Sequence, residues 1–237
     1  MPFDFIRRKA KTVFSLRGLL IKSCIFGLCW FFLPFWIFLL VGVYFYFTPF
    51  FQSFNLFIPF LMTLAAAAYV PYGFWPAVFL GILFFLILGI KNLIFVNRFE
   101  NHQIMVFLLL FLIFFGFFSH FENWEKWIIS TISLGIGLSF FLLFKELADY
   151  TRGNIGSKKN LAACLGSFLL WQASSVIIFL PINYFYQTAL LFLLSVITTD
   201  VLLEYLNKNL DRKKILVDFS IFFAVTAAIL ASANWGL

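Results

Sequence analysis

Three carboxylates near the end of the chain have types and spacing that could support chemistry. Asp200 and Glu204 are four residues apart, so they share one face if the segment is helical. Asp218 follows a basic stretch, and a chain reversal there would bring its carboxylate to the level of Glu204. Carboxylates at such a place could hold a proton, a cation or a lipid headgroup, so these three residues form a candidate acidic site.

Nearby lysines offer the acidic site a structural explanation. Lys208 follows Glu204 by four residues, the favoured order for an ion pair on a helix, and Lys214 ends the basic stretch. Lys145 and Glu146 belong to the same predicted side of the membrane. Exposed ion pairs of this kind are common, so the sequence favours paired carboxylates at a helix end and leaves the functional interpretation open.

Two glutamines form a second candidate, an intramembrane polar pair. Gln172 and Gln187 lie nine and six residues from Pro181, so they could sit at similar depth on adjacent helices. Uncharged polar groups inside a membrane usually form hydrogen bonds between helices. The alternative is that the pair lines a pathway for a solute.

The remaining residue types argue against a metal, a haem or a disulfide framework. His102 and His120 stand at opposite ends of one apolar segment, ~27 Å apart in a helix, and cannot ligate one haem within the chain. Cys24, Cys29 and Cys164 include no Cys-x-x-Cys pair. No P-loop, Gly-x-Ser-x-Gly or His-Glu-x-x-His motif occurs. We therefore expect no catalytic residue, no metal and no cofactor, and the balance is against an enzyme.

Composition determines which elements must position these candidates. Of 237 residues, 63% are apolar and 11% are charged, and the mean hydropathy is +1.01. A soluble domain is about half apolar and about a quarter charged, so this chain requires lipid as its solvent. Lipid offers no partner for free backbone groups. The sequence therefore predicts an all-α integral membrane protein.

Eight apolar segments predict a single polytopic bundle of about eight helices. They cover residues 23–47, 55–70, 74–96, 104–119, 127–144, 161–180, 184–203 and 216–235. Most approach or exceed the ~20 residues that cross a ~30 Å hydrocarbon core. No repeat and no linker divides them, so residues 23–237 are predicted to form one transmembrane domain.

The distribution of Lys and Arg predicts the orientation. Six of the 17 basic residues lie within residues 1–22, which suits a basic amphipathic arm on the cytoplasmic membrane surface. The loops 91–103, 145–160 and 207–215 carry two, four and four basic residues, so they also belong inside. Three crossings before Lys91, however, would separate the arm from these loops.

This parity conflict has two resolutions. A proline-containing stretch within residues 48–73 could enter and leave the membrane on one side, which gives seven crossings. Alternatively, all eight segments cross. We expect seven crossings, with the N-terminus in the cytoplasm and the C-terminus outside.

Small residues four apart suggest where helices meet. Ala224, Ala228 and Ser232 share a face of the last segment, which could pack within the chain or against another membrane protein. The lipid bilayer is one expected partner, and nucleic acid is not, because no soluble surface interleaves basic and aromatic residues. The pattern favours a non-catalytic subunit or scaffold of the plasma (inner) membrane. A transporter or permease for a small solute or lipid, and a lipid-modifying enzyme using the acidic site, are the alternatives.

Overall fold

A computed structural model describes residues 2–48, 56–95, 97–120, 126–149, 156–207 and 212–233. These residues form nine α-helices and no strand. The helices are α1 (Pro2–Phe32), α2 (Phe35–Phe47), α3 (Phe57–Tyr69), α4 (Phe74–Lys91), α5 (Arg98–His120), α6 (Lys126–Asp149), α7 (Gly156–Ile177), α8 (Tyr184–Asn207) and α9 (Arg212–Ser232). Six of these helices, α4 to α9, are long and apolar enough to cross a membrane. The all-helical, membrane-like architecture is confirmed, whereas the count of eight helices is not.

One predicted segment, residues 23–47, is divided by a reversal at Pro34. Proline has no N–H and disfavours a helical conformation in the residue before it, so α1 ends at Phe32. Pro34 is itself extended, with ψ 144°, and α2 begins at the next residue. The break that the sequence places within residues 48–73 therefore starts earlier, and residues 49–55 lie outside the described part of the chain.

The two helices that follow this reversal are short. Both α2 and α3 contain 13 residues, which is ~20 Å at 1.5 Å per residue. A hydrocarbon core is ~30 Å thick. Neither helix is long enough to cross a membrane alone.

The chain divides into two compact units, residues 1–109 and 110–237. In unit 1, α1 to α4 pack as antiparallel neighbours around aromatic rings. Phe26 of α1 stacks on Phe84 of α4 with ring centroids 4.0 Å apart, and it lies 4.7 Å from Phe38 of α2. Tyr46 of α2 stacks on Phe60 of α3 at 4.1 Å. All five side chains are almost completely buried.

In unit 1 the backbones of α1 and α4 approach each other closely. A Cβ atom on Gly27 would lie 2.8 Å from the carbonyl oxygen of Ala77, and one on Gly81 would lie 3.2 Å from that of Ser23. Such proximity requires residues without side chains. This contact holds α4 against α1.

In unit 2, α6 packs along α7, α7 against α8, and α8 against α9. A Cβ atom on Gly137 of α6 would lie 2.9 Å from the carbonyl oxygen of Ser167 on α7. Gly166 of α7 faces the side chains of Phe140 and Leu202 on the flanking helices. Small residues therefore set the packing distances on both sides of α7.

The last helix, α9, has a different environment, because none of its residues is buried. Half-buried positions recur every three or four residues, at Ile215, Asp218, Phe222, Thr226 and Ile229. This spacing defines one helical face, which is the face turned toward α8. Leu230 is also half-buried, and the remaining residues of α9 are exposed, including Ala224, Ala228 and Ser232.

Candidate functional site

The acidic site is assembled where α8 ends and α9 begins. Glu204 lies in the last turn of α8, and its carboxylate accepts a hydrogen bond and an ion pair from Lys214 in the first turn of α9. The Glu204 side chain is 15% exposed and that of Lys214 is 59% exposed. The ion pair is therefore accessible from the side of Lys214.

The two other carboxylates also act on Lys214. Asp218 lies one turn further along α9 and Asp200 one turn earlier on α8, and both attract the Lys214 ammonium group electrostatically. The structure thus pairs Glu204 with Lys214 and leaves Asp200 and Asp218 near enough to act on the same cation. One oxygen of Glu204, Oε2, is buried and accepts no hydrogen bond from the described residues.

Of the two other lysines proposed as partners, only Lys145 is among the described residues. Lys145 is exposed on α6, and Lys208 lies outside the described residues. A second ion pair joins Lys159 of α7 to Asp149 of α6. Within the described part of the chain, no three His, Cys, Asp or Glu side chains come together to hold a metal ion.

The two glutamines have different environments. Gln187 is 1% exposed, and its Nε2 donates to the carbonyl oxygens of Ile177 at 3.3 Å and Leu180 at 3.1 Å. Ile177 is the last residue of α7 and Leu180 lies in the turn that follows, and each of these carbonyls also accepts a backbone N–H, from Leu180 and Ile182 respectively. Gln172 is exposed on α7. Gln187 thus closes the turn between α7 and α8, and the structure does not join it to Gln172.

A third polar site was not singled out from the sequence, and it lies at the end of α2. Lys91 is the last residue of α4 and only 2% exposed, and its ammonium group donates a hydrogen bond to the carbonyl oxygen of Tyr46. The same nitrogen lies 4.0 Å from the centroid of the Tyr46 ring. The sequence assigned Lys91 to a loop, but the residue is buried against the last turn of α2.

Lys22 of α1 approaches the same helix end. Its Nζ donates a 2.8 Å hydrogen bond to the carbonyl oxygen of Thr48, the residue that follows α2. A helix leaves its last four carbonyls without intrahelical donors, and its C-terminus carries partial negative charge. Two ammonium groups from two other helices therefore converge on the negative end of a short helix.

One signal in the sequence could have revealed this lysine site. No Asp or Glu occurs from Phe5 to Phe99, although eight Lys and Arg residues lie in that interval. Unit 1 contains eight of the 17 basic residues and two of the 10 acidic ones, so it carries +6 of the net charge of +7. The positive charge belongs to the half of the chain that has the short helices.

Comparison with known proteins does not add a relative, since no family model, no curated protein and no solved structure matches the chain. The class that fold and sites define is a membrane-like helical bundle. A more specific function has to be argued from its exposed faces and its charged groups.

Proposed function

We propose that this protein is a multi-pass subunit of a membrane assembly and that it contacts another membrane protein through α9. The observation that carries the proposal is the exposure of α9, a 21-residue apolar helix in which no residue is buried. In each of the other five helices that could cross a membrane, α4 to α8, at least 28% of the most apolar 18-residue stretch is buried. A helix exposed all along its length is suited to a contact outside its own chain.

The composition of the exposed face supports a protein partner over lipid. Ser220, Ala224, Ala227, Ala228 and Ala231 lie together on α9, opposite the half-buried positions that face α8. Small residues let two helix backbones approach closely, which is how helices associate when lipid is the solvent. The partner surface would be an apolar helix with small residues of its own.

The proposed topology follows from the reversal at Pro34. With α1 and α4 to α9 as crossings, the chain crosses seven times, and α2 with α3 forms a re-entrant hairpin on the outer side. The reversal divides the chain up to Lys91 into four helices that alternate in direction. The N-terminal arm and the three basic loops therefore share the cytoplasmic side. The C-terminus is then outside, and the positive-inside pattern supports this orientation.

Photocrosslinking in native membranes tests the proposed contact. A photoreactive residue at Ala228 should give a defined product with a second membrane protein, whereas one at Phe222, on the face toward α8, should not. The substitution Ala224→Ile should abolish the Ala228 product, and Val225→Ile should leave it intact. Products with lipid alone, or with a second copy of this chain alone, would contradict a subunit of a mixed assembly.

Transport is the second candidate, and the short helices α2 and α3 favour it. Interrupted helices are where many transporters bind their substrates, with backbone carbonyls of a half-helix directed at a cation. Here the two lysines occupy the position of that cation. By contrast, the groove of about 470 Å³ between α1 and α4 has a mainly apolar lining, with residues such as Leu20, Leu28 and Ile82, which suits an acyl chain. Solute uptake into vesicles containing the purified protein would test this candidate.

Enzymatic modification of a lipid remains a proposal for the acidic site. Its support is the grouping of Asp200, Glu204 and Asp218 around Lys214 at the ends of two helices. Replacing Glu204 with Gln should abolish such an activity while membrane insertion continues. An unchanged activity would remove the acidic site from consideration.

A further inference from the structure

We propose that Lys22 and Lys91 form a binding site for a phosphate group at the end of α2. This site is in unit 1, and it does not depend on the contact proposed for α9 in unit 2. The ligand is defined by its chemistry, an anionic phosphate with several acceptor oxygens. Two sources could supply it, the headgroup of an anionic phospholipid and a soluble phosphate compound.

The first argument is the convergence of the two ammonium groups. Their acceptors, the carbonyl oxygens of Tyr46 and Thr48, are two residues apart in the chain. The lysines are also close enough for the charge of Lys22 to act on Lys91. Because α1, α2 and α4 are packed together, both side chains are held in position before any ligand arrives.

The second argument is the lack of a neutralising acid. Asp4, near the start of α1, is the only carboxylate in the sequence of α1 to α4, and it lies 18 positions before Lys22. Lys91 is almost completely buried. A buried charge requires a partner, and ionisable residues among membrane helices are functional candidates for that reason.

The carbonyls of α2 do not supply that partner for both cations. One ammonium group would suffice to match the partial charge at the end of a short helix, which is about half an elementary charge. The second lysine leaves an excess of positive charge at the same place. An anion of one or two negative charges would balance it.

Hydrogen-bond capacity points to an oxyanion. Each ammonium group has three N–H donors, and the structure gives each of them one carbonyl acceptor among the described residues. The Nζ of Lys91 lies 4.0 Å from the centroid of the Tyr46 ring, and the Nζ of Lys22 lies 5.9 Å from that of the Phe45 ring. Phosphate oxygens accept several charge-assisted bonds, and lysine binds phosphate as a point charge.

Access to the site is from the side of Lys22, which is half-buried and whose bond to Thr48 is exposed. Basic pockets between membrane helices on the cytoplasmic side are where anionic headgroups bind. In the proposed topology, the end of α2 lies toward the cytoplasmic side of unit 1. A phospholipid could therefore reach Lys22 from the bilayer, and a soluble phosphate could reach it from the cytoplasm.

The experiment uses the full-length protein in nanodiscs and measures its melting temperature. One arm compares phosphatidylcholine with a mixture that contains phosphatidylglycerol, and a second adds inorganic phosphate to phosphatidylcholine discs at constant ionic strength. A higher melting temperature in the first arm alone assigns the site to a lipid headgroup. A higher melting temperature with inorganic phosphate assigns it to a soluble phosphate.

Variants locate the effect. Lys22→Met and Lys91→Met should each weaken binding by about fivefold, the effect of one basic residue near an anionic surface. Arg17→Gln is the matched control, because Arg17 is an exposed base on the same helix. It contributes only to the general attraction of the arm for anionic lipid, so its replacement should weaken binding less than Lys22→Met does and should leave the inorganic phosphate arm unchanged. Lys22→Met is the decisive variant if Lys91→Met does not fold. No stabilisation in either arm, or equal losses in Arg17→Gln and Lys22→Met, would overturn the proposal.

Discussion

The indole Nε1 of Trp30 on α1 donates a 2.9 Å hydrogen bond to the carbonyl oxygen of Ala67 on α3. Trp30 is 1% exposed, and its ring also stacks on that of Tyr72 with centroids 5.0 Å apart. Ala67 is in the last turn of α3, where carbonyls have no intrahelical donor. The bond therefore supplies a donor to a terminal carbonyl of the short helix α3 from a side chain of α1.

Replacing Trp30 with Phe should destabilise the protein. The buried carbonyl of Ala67 would lose its donor, which costs about 1–3 kcal/mol. Trp171→Phe is the matched control, because the Nε1 of Trp171 is buried and has no hydrogen-bond partner among the described residues. Unfolding in detergent, followed by circular dichroism, measures both variants. Equal losses would indicate that ring volume, and not the hydrogen bond, determines the effect.

Two glycines on α6 should respond in opposite directions to alanine. A Cβ atom on Gly137 would lie 2.9 Å from the backbone oxygen of Ser167, so Gly137→Ala should push α6 from α7 and cost about 1–3 kcal/mol. Gly135 has open space around the same position, and Gly135→Ala should stabilise the helix by about 0.5–1 kcal/mol. Melting temperatures of the two variants should therefore lie on either side of the wild-type value. A loss for both would contradict the close approach of α6 and α7.

Exchanging the charges of Glu204 and Lys214 tests the ion pair at the acidic site. Glu204→Lys and Lys214→Glu should each lower the melting temperature, because two like charges then meet between α8 and α9. The double variant should recover most of the loss, since the pair is restored in reverse. Arg212→Glu, a change of the same size in the same helical turn, is the control for net charge. Additive losses in the double variant would show that the two side chains do not interact.

Cysteine labelling in a background without the three native cysteines tests the topology. Cysteines at Asn97, Asn160 and Asn207 should react with an impermeant reagent from the cytoplasmic side only. Those at Tyr72 and Asn183 should react from the outside only. The expectation follows from seven crossings with α2 and α3 re-entrant. Reaction of Tyr72 and Asn97 from the same side would mean that α4 does not cross.

The general architecture was predictable because one physical requirement determines it. Backbone groups in lipid must be satisfied internally, so long apolar runs become helices, as in α4 to α9. The reversal at Pro34 was not predictable on the same grounds. Proline is tolerated inside membrane helices, and the run from Ser23 to Phe47 has no charged residue to mark a break.

The sites depended on tertiary contacts to different degrees. Glu204 and Lys214 flank a short connection, and sequence spacing alone brings them to similar depth. Lys91 was assigned to a loop because a charge at the end of an apolar run normally reaches water. Its burial depends on a carbonyl from Tyr46, 45 residues away in the chain, which no local pattern encodes.

The short helices α2 and α3 also constrain how the protein enters the membrane during synthesis. At 13 residues each, neither is long enough for the translocation machinery to release into lipid as an independent span. The carbonyl of Tyr46 receives its lysine only after α4 has been made, because Lys91 is the last residue of that helix. We therefore expect α2 and α3 to settle in the bilayer only after residue 91 has been synthesised, when α4 can supply this lysine.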